Sequence, residues 1–218
     1  MKRFIITIFL LAIYFGSQAS AEMLKVDYSK EVSAKGKKDT TETLSLILDK
    51  NRFILTTKSS TTLVDLGKEQ VITMDNHNKH YLVTHLYSWP VFTKFELKNR
   101  EIMTEIIQAA GVDKNSASFD PFYLESELGM VGNLQLKTKP QLITKGNSLL
   151  AKYKEDTVTM VTFADDKLAN IYKNSLKGYL RYFVQLHPDT KRQIIKQGKL
   201  FAELSYTNKM MDYISHTS

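Results

Sequence analysis

Polar and apolar residues alternate along most of the first half of this chain. Leu24, Val26 and Tyr28 are interleaved with Lys25, Asp27 and Ser29, the period of two that gives a strand one buried face. After a polar stretch over residues 35–39, Leu44, Leu46 and Leu48 share a side opposite Thr43, Ser45 and Asp49. Asp49-Lys50-Asn51 has the residue types of a turn. Further strands are predicted over 52–57, with Phe53 and Leu55 on one side, and over 61–66, 70–74 and 81–87. The polar segments Lys58-Ser59-Ser60, Gly67-Lys68-Glu69 and Asp75 to Lys79 separate them. Six strands joined by short turns predict an antiparallel meander, twisted enough to curl or to need a cover.

The period then lengthens. Ile102, Met103, Ile106, Ile107 and Ala110 follow helical spacing, with Asn99 as the N-cap and Gly111 just past the end. Residues 112–119 read as loop. Asp120-Pro121 pairs a cap with a proline at the first helical position, predicting a short helix to Gly129. Alternation returns over 133–139, 148–154 and 157–163. Leu168, Ile171, Tyr172, Leu176, Tyr179, Leu180, Phe183 and Val184 then mark one face of a helix, with Lys173, Lys177, Arg181 and Gln185 opposite. His187-Pro188 starts a second short helix to Gly198, and residues 199–206 predict a closing strand. The fold class expected is α+β.

The extreme N-terminus has a different pattern. Lys2 and Arg3 precede an unbroken run from Phe4 to Phe15, Gly16-Ser17-Gln18 interrupts it, and Ala19-Ser20-Ala21 follows. This is the tripartite plan of a secretory signal peptide. The run is shorter than the ~20 apolar residues of a membrane span. No cysteine follows the small residues, so a lipoprotein anchor is not expected. The chain is read as a signal over 1–21 and a single β-rich domain with a helical cover over 22–218. The complete lack of cysteine suits a bacterial periplasm better than a disulfide-dense animal secretory route. The expected location is periplasmic or secreted.

Charge narrows the partners only a little. The full chain carries a formal +7; without Lys2 and Arg3 the domain keeps +5. That excess is dispersed, which favours anionic surfaces such as lipid headgroups. Nucleic acid is not an expected partner for an exported protein. No cofactor is expected, because no phosphate-binding glycine loop, nucleophile elbow, paired zinc-histidine motif or EF-hand loop is present. Asp75, His77 and His80, with His85 beyond, have zinc-ligand chemistry, but Asp75 to Lys79 is equally a hairpin tip. The two carboxylates Glu125 and Glu127 stand two apart on a helix and so do not face each other; a solvated face is predicted for them. His187 reads as a helix N-terminal residue, and Asp65 as the exposed side of a strand.

Apolar surface offers more. Leu44, Leu46, Leu48, Phe53, Leu55, Tyr81, Val83 and Tyr87 are read as large residues on one sheet face, forming either an ordinary core or the lining of a cavity for an amphiphile. The chain has 11 Phe and 11 Tyr, and tyrosine suits the mouth of such a cavity with its apolar body and polar tip. The helix around Lys173 to Gln185 is basic and amphipathic, and is read as a possible contact for an anionic membrane.

Leu63-Val64-Asp65-Leu66, a turn, Val71-Ile72-Thr73-Met74-Asp75, a polar turn and Lys79-His80-Tyr81-Leu82-Val83 form a pattern that resembles exported bacterial domains with the fold of the periplasmic lipoprotein carriers. The resemblance rests on residues 42–87. It implies a strongly bent antiparallel sheet, an incomplete barrel, covered by helices on its concave side, with acyl chains or other hydrophobic groups bound beneath them. The carriers begin with a helix where this domain begins with a strand, so only the fold and the apolar cavity carry over. Three readings follow in order: a non-catalytic periplasmic binding protein for an amphiphilic or lipid-like ligand; an envelope structural or interaction module with a protein or membrane partner; and a metal-assisted hydrolase at Asp75, His77 and His80.

Overall fold

The structure is a computed structural model and describes residues 23–32, 40–109, 120–130 and 135–207. The export signal read at 1–21 and the loop read at 112–119 lie outside those residues. The fold is α+β, with two antiparallel sheets and, among the described residues, four α-helices and no closed barrel.

The first sheet is a meander of β1 (Leu24–Val32), β2 (Thr40–Leu48), β3 (Arg52–Thr56), β4 (Ser60–Asp65), β5 (Gln70–Asp75) and β6 (Tyr81–His85), each strand pairing with the next. Its turns follow from side chains that satisfy local backbone donors, as Asx turns do. Asp65 Oδ1 accepts from the N–H groups of Gly67 and Lys68, and Asp75 Oδ1 from those of His77 and Asn78. Register fixes two faces. One cross-strand row on the inner face runs Leu24, Leu48, Phe53, Val64, Val71, Thr84; the next runs Val26, Leu46, Leu55, Thr62, Thr73, Leu82.

The second sheet is ordered β10-β9-β8-β7, from β7 (Gln141–Lys145), β8 (Ser148–Tyr153), β9 (Asp156–Lys167) and β10 (Lys199–Tyr206). Two helices lie between β9 and β10: α3 (Lys173–Phe183) and α4 (Pro188–Gln197). Helix α3 joins the sheets. Tyr179 meets Phe53 of the first sheet edge-on at 6.1 Å and stacks near Phe201 of the second at 6.4 Å. Gly178 makes this approach possible, because a Cβ there would stand 3.0 Å from Leu66 and 3.1 Å from Phe53. Tyr28 of β1 also stacks on Phe201 of β10 at 5.3 Å, so the two sheets adjoin at those edges. One continuous core therefore includes Leu46, Leu48, Phe53, Val64, Val71, Leu149, Val161, Leu176, Leu180 and Ile194. Helix α4 ends at Gly198, whose φ of +62° is the left-handed conformation glycine adopts without a Cβ penalty.

The other edges, β6 and β7, are separated in the chain by α1 (Ser88–Ala109) and α2 (Pro121–Glu127), the latter followed by a 3-10 turn over Leu128–Met130. Asp120 caps α2 through Phe122 N–H, as its Asp-Pro pair predicts. Phe122 and Tyr123 of α2 form a second small cluster with Ala151 and Val158.

Three segments depart from expectation. Helix α1 begins at Ser88 rather than Asn99; Pro90 sits in its first turn, where no intrahelical N–H bond is lost. Of the strand expected over 133–139, the described residues 135–139 are irregular, and the strand comes later as β7. The reason is local: the N–H groups of Lys137 and Thr138 go to the Glu125 carboxylate instead of a ladder. The long helix expected from Leu168 is preceded by an extended β9 and a 3-10 turn at Asn170–Tyr172, and begins at Lys173.

Candidate functional site

Two places depart from the usual partition of apolar inside and polar outside. The first is a buried polar junction. Glu125 of α2, His187 at the N-cap of α4 and Thr138 of the irregular segment meet there. His187 Nε2 lies 3.2 Å from Glu125 Oε2 and 3.3 Å from Thr138 Oγ1. The Thr138 hydroxyl donates to the same carboxylate, which also accepts from the backbone of Lys137 and Thr138. On the other side of the imidazole, Nδ1 accepts from Asp189 N–H at 3.2 Å. Nδ1 is therefore unprotonated, and the ring proton sits on Nε2, directed at Glu125. The ring also stacks on Phe122 at 5.1 Å, and Phe122 on Tyr153 at 4.3 Å. Burial holds the His187 pKa below its ordinary value, against the opposing pull of the Glu125 hydrogen bond.

This junction contains acid–base residue types, but its contacts are those of a clasp. Thr138 and His187 both spend their protons on one carboxylate, and His187 is buried. A relay would need the hydroxyl to donate to the imidazole and the carboxylate to hold its other nitrogen. Nearby, the buried Lys191 ammonium donates to the Arg181 carbonyl at the end of α3 at 3.3 Å, and burial depresses its pKa to about 7. Glu125 corrects the expected solvated face: it is buried and points away from the route Glu127 takes two residues on. His187 is at the helix N-terminus, as expected.

The second place is apolar and exposed. Of the strand residues singled out from the sequence, Leu44, Leu46, Leu48 and Phe53 are buried on the inner face and Leu55 is half-buried beside them. Tyr81 and Val83 do not join them. They pair with Met74 and Ile72, on the outer face, because strand parity is carried through each hairpin register. Tyr87 lies past the end of β6, where its hydroxyl donates to Glu69 and its ring lies against His85. On the inner face the row passes from 0% exposure at Leu46 through half-buried Leu55, 7% at Thr62 and half-buried Thr73 to 63% at Leu82. Helix α3 packs on this face at Phe53 and Leu66, and along β6 the cover is lost toward Leu82: Leu86 is buried and Thr84 half-buried.

Helix α1, which follows β6 in the chain, carries exposed apolar residues of its own. Val91, Phe95, Ile102 and Ile106 are spaced four, seven and four apart, which puts them on one stripe with Phe92 adjoining. All five are exposed, Phe92 at 70% and Phe95 at 66%. Trp89 points the opposite way around the helix and packs on Phe183 of α3 at 5.3 Å. So the inward side of α1 is anchored and its apolar stripe faces out. Asn99, a good cap residue, hides Val91, Phe92 and Phe95 from a reading of the sequence; the apolar positions upstream of it carry the signal.

Asp75, His77 and His80 do not converge. The Asp75 carboxylate is engaged by its own turn, including Asn78 Nδ2 at 2.8 Å, and no three metal-ligating side chains gather among the described residues. A surface depression of about 340 Å³ at the β2–β3 and β4–β5 turns is lined by Asp49, Lys50, Asn51, Arg52, Asp65, Gly67 and Lys68; the Arg52–Asp49 ion pair at 2.6 Å belongs to the turn itself. No helix of the described chain is long and apolar enough to cross a membrane. No family model, curated protein or solved structure matches the chain.

Proposed function

We propose that the domain is a non-catalytic, extracytoplasmic binding protein that holds an amphiphilic or lipid-like ligand where the inner face of the first sheet opens. One observation supports this most: the inner row that is fully buried at Leu46 ends at a largely exposed Leu82, with half-buried Leu55, buried Thr62 and half-buried Thr73 between. An acyl chain laid along Leu55, Thr73 and Leu82 would remove apolar surface from water at ~25 cal/mol per Å². The threonine hydroxyls beside it suit the polar end of an amphiphile. In this reading the two sheets, adjoining at Tyr28 and Phe201, form a strongly bent incomplete barrel. The deep position over Leu46, Leu48 and Phe53 is occupied by the core under α3, which leaves the edge at Leu82 for the ligand.

Export to a bacterial periplasm, with residues 1–21 removed, belongs to the same proposal and rests on the N-terminal pattern. The test is extraction. Residues 22–218, purified from an exporting bacterial host without detergent, should yield stoichiometric lipid or fatty acid by mass spectrometry. A Leu82→Lys variant should yield little. Wild-type protein free of lipid under these conditions, and unable to take it up afterwards, would remove the proposal.

A further inference from the structure

The strands at the edges of the two sheets are not alike. β1 carries Lys25, Asp27, Lys30 and Glu31, β10 carries Lys199 and Glu203, and β7 follows Pro140 and ends at Lys145. Charge and proline at an edge discourage pairing with another chain. β6 has neither: Tyr81–His85 contains no proline, lysine, arginine, aspartate or glutamate, and Tyr81, Leu82 and Val83 are all exposed. No described strand pairs with β6 on the side away from β5. The hydrogen-bond parity of this edge is fixed at both ends. Asp75 N–H donates to the His80 carbonyl, and Leu86 N–H to that of Glu69. Residues 80, 82, 84 and 86 therefore bond toward β5, and in an antiparallel ladder the alternate residues point the other way. Tyr81, Val83 and His85 direct their N–H and C=O groups outward. Their side chains lie on the outer sheet face, where Val83 ends a cross-strand aliphatic row of Ile47, Ile54, Leu63 and Ile72.

We infer that two copies of the chain join through β6, pairing antiparallel about a two-fold axis at Val83 and continuing the first sheet across both. In this register Val83 meets Val83 of the second copy, Tyr81 meets His85, and Leu82 meets Thr84. The whole strand is used, with about six backbone hydrogen bonds. The aliphatic row runs on through the two valines, which pack as a cross-strand pair. Charge fits as well. Lys79, exposed just ahead of one β6, comes to the far end of the other, where the Glu69 carboxylate accepts from Tyr87 and lies beside His85. The two-fold axis makes that contact twice. An unrelated extended segment could take the backbone bonds but would lack the matched valine row and the two Lys79–Glu69 contacts; these select a second copy. The inference does not rest on the ligand proposal: pairing uses the strand edge and the outer face, and the amphiphile is assigned to the inner face.

The experiment is analytical sedimentation of residues 22–218 from about 1 to about 300 µM. A five-residue strand pair is small for an interface, so a reversible dimer is expected, mostly monomer at the low end and mostly dimer at the high end. Val83→Pro removes an outward N–H, and Val83→Lys sets two ammonium groups against each other; each should weaken the dimer at least about tenfold. Both should keep the circular dichroism of the wild type, because the side chain is exposed on an edge strand. The chain has no cysteine, so single thiols report the register. Val83→Cys should cross-link readily under diamide, its Cα atoms about 5.5 Å apart across a hydrogen-bonded pair. Tyr81→Cys, which faces His85, should cross-link at least about tenfold more slowly. A wild type that stays monomeric at about 300 µM, a dimer untouched by both Val83→Pro and Val83→Lys, or equal cross-linking by the two thiols would overturn the inference. So would a dimer lost in Phe92→Ser with Phe95→Ser but kept in Val83→Pro, which would place the contact on α1.

Discussion

The polar junction and the exposed apolar residues of β6 and α1 are opposite violations of one rule, and they have opposite resolutions. At the junction, charged and polar groups are buried, yet Glu125, Thr138, His187 and the backbone of 137–138 answer one another. Along β6 and α1, large apolar groups are in water: Leu82 on the inner sheet face, Tyr81 on the outer, and Phe92 and Phe95 on the helix. A buried polar group without a partner is costly, so a satisfied network is a structural device. Exposed large apolar groups have no such internal resolution, and an opening such as that at Leu82 is where the proposed ligand would supply the cover. The difference separates what holds this fold together from what it presents.

Breaking the junction should produce the largest effect. Glu125→Ala leaves two backbone N–H groups, a hydroxyl and the His187 Nε2–H without their acceptor, and should cost about 3–5 kcal/mol of stability. A denaturant midpoint that moves by less than a quarter of that would mean the carboxylate is not the centre of the clasp. Next comes the plug. Gly178→Val adds a branched side chain 3.0 Å from Leu66 and 3.1 Å from Phe53, and should destabilise by about 1–3 kcal/mol through overpacking. Thermal melting of that variant checks it.

The strands were legible because the period of two survives in almost every one, and because Asp65 and Asp75 close turns by chemistry local in sequence. The clasp was not legible: Glu125, Thr138 and His187 are brought together across 62 residues by tertiary packing, and an isolated Glu on a short helix looks solvated. The outer placement of Tyr81 and Val83 was hidden for another reason. Face assignment passes through four turns, and the alternation of each strand alone does not fix its parity against the first. The start of α1 was obscured by Asn99, a good cap residue that here lies within a helix.

Smaller effects come from titration. The folded pKa values of His187 and Lys191 are both depressed by burial. The unfolded chain therefore binds more protons in each window, and stability must rise with pH there. The His187 contribution is complete above 6.5 and is lost as pH falls through the lower folded value. The Lys191 contribution rises between about 7 and 10.5. Lys191→Met should flatten the upper slope and leave stability at neutral pH unchanged or raised, because it removes a buried ammonium. Urea titrations at pH 7 and pH 9 measure the slope, and an unchanged slope in the variant would contradict the assignment. The smallest effects on stability belong to the exposed apolar residues: Tyr81→Ser and Phe92→Ser should lie within about 0.5 kcal/mol of the wild type, and a larger loss by calorimetry would show that these residues are structural after all.

The most direct test of the central claim is equilibrium binding of a fluorescent fatty acid to residues 22–218 in vesicle-free buffer, with Leu82→Lys and Phe92→Ser alongside. The account predicts saturable, blue-shifted emission for the wild type and for Phe92→Ser, and its loss in Leu82→Lys. Emission from the wild type no greater than that of the free probe, or equal binding by Leu82→Lys, would contradict it.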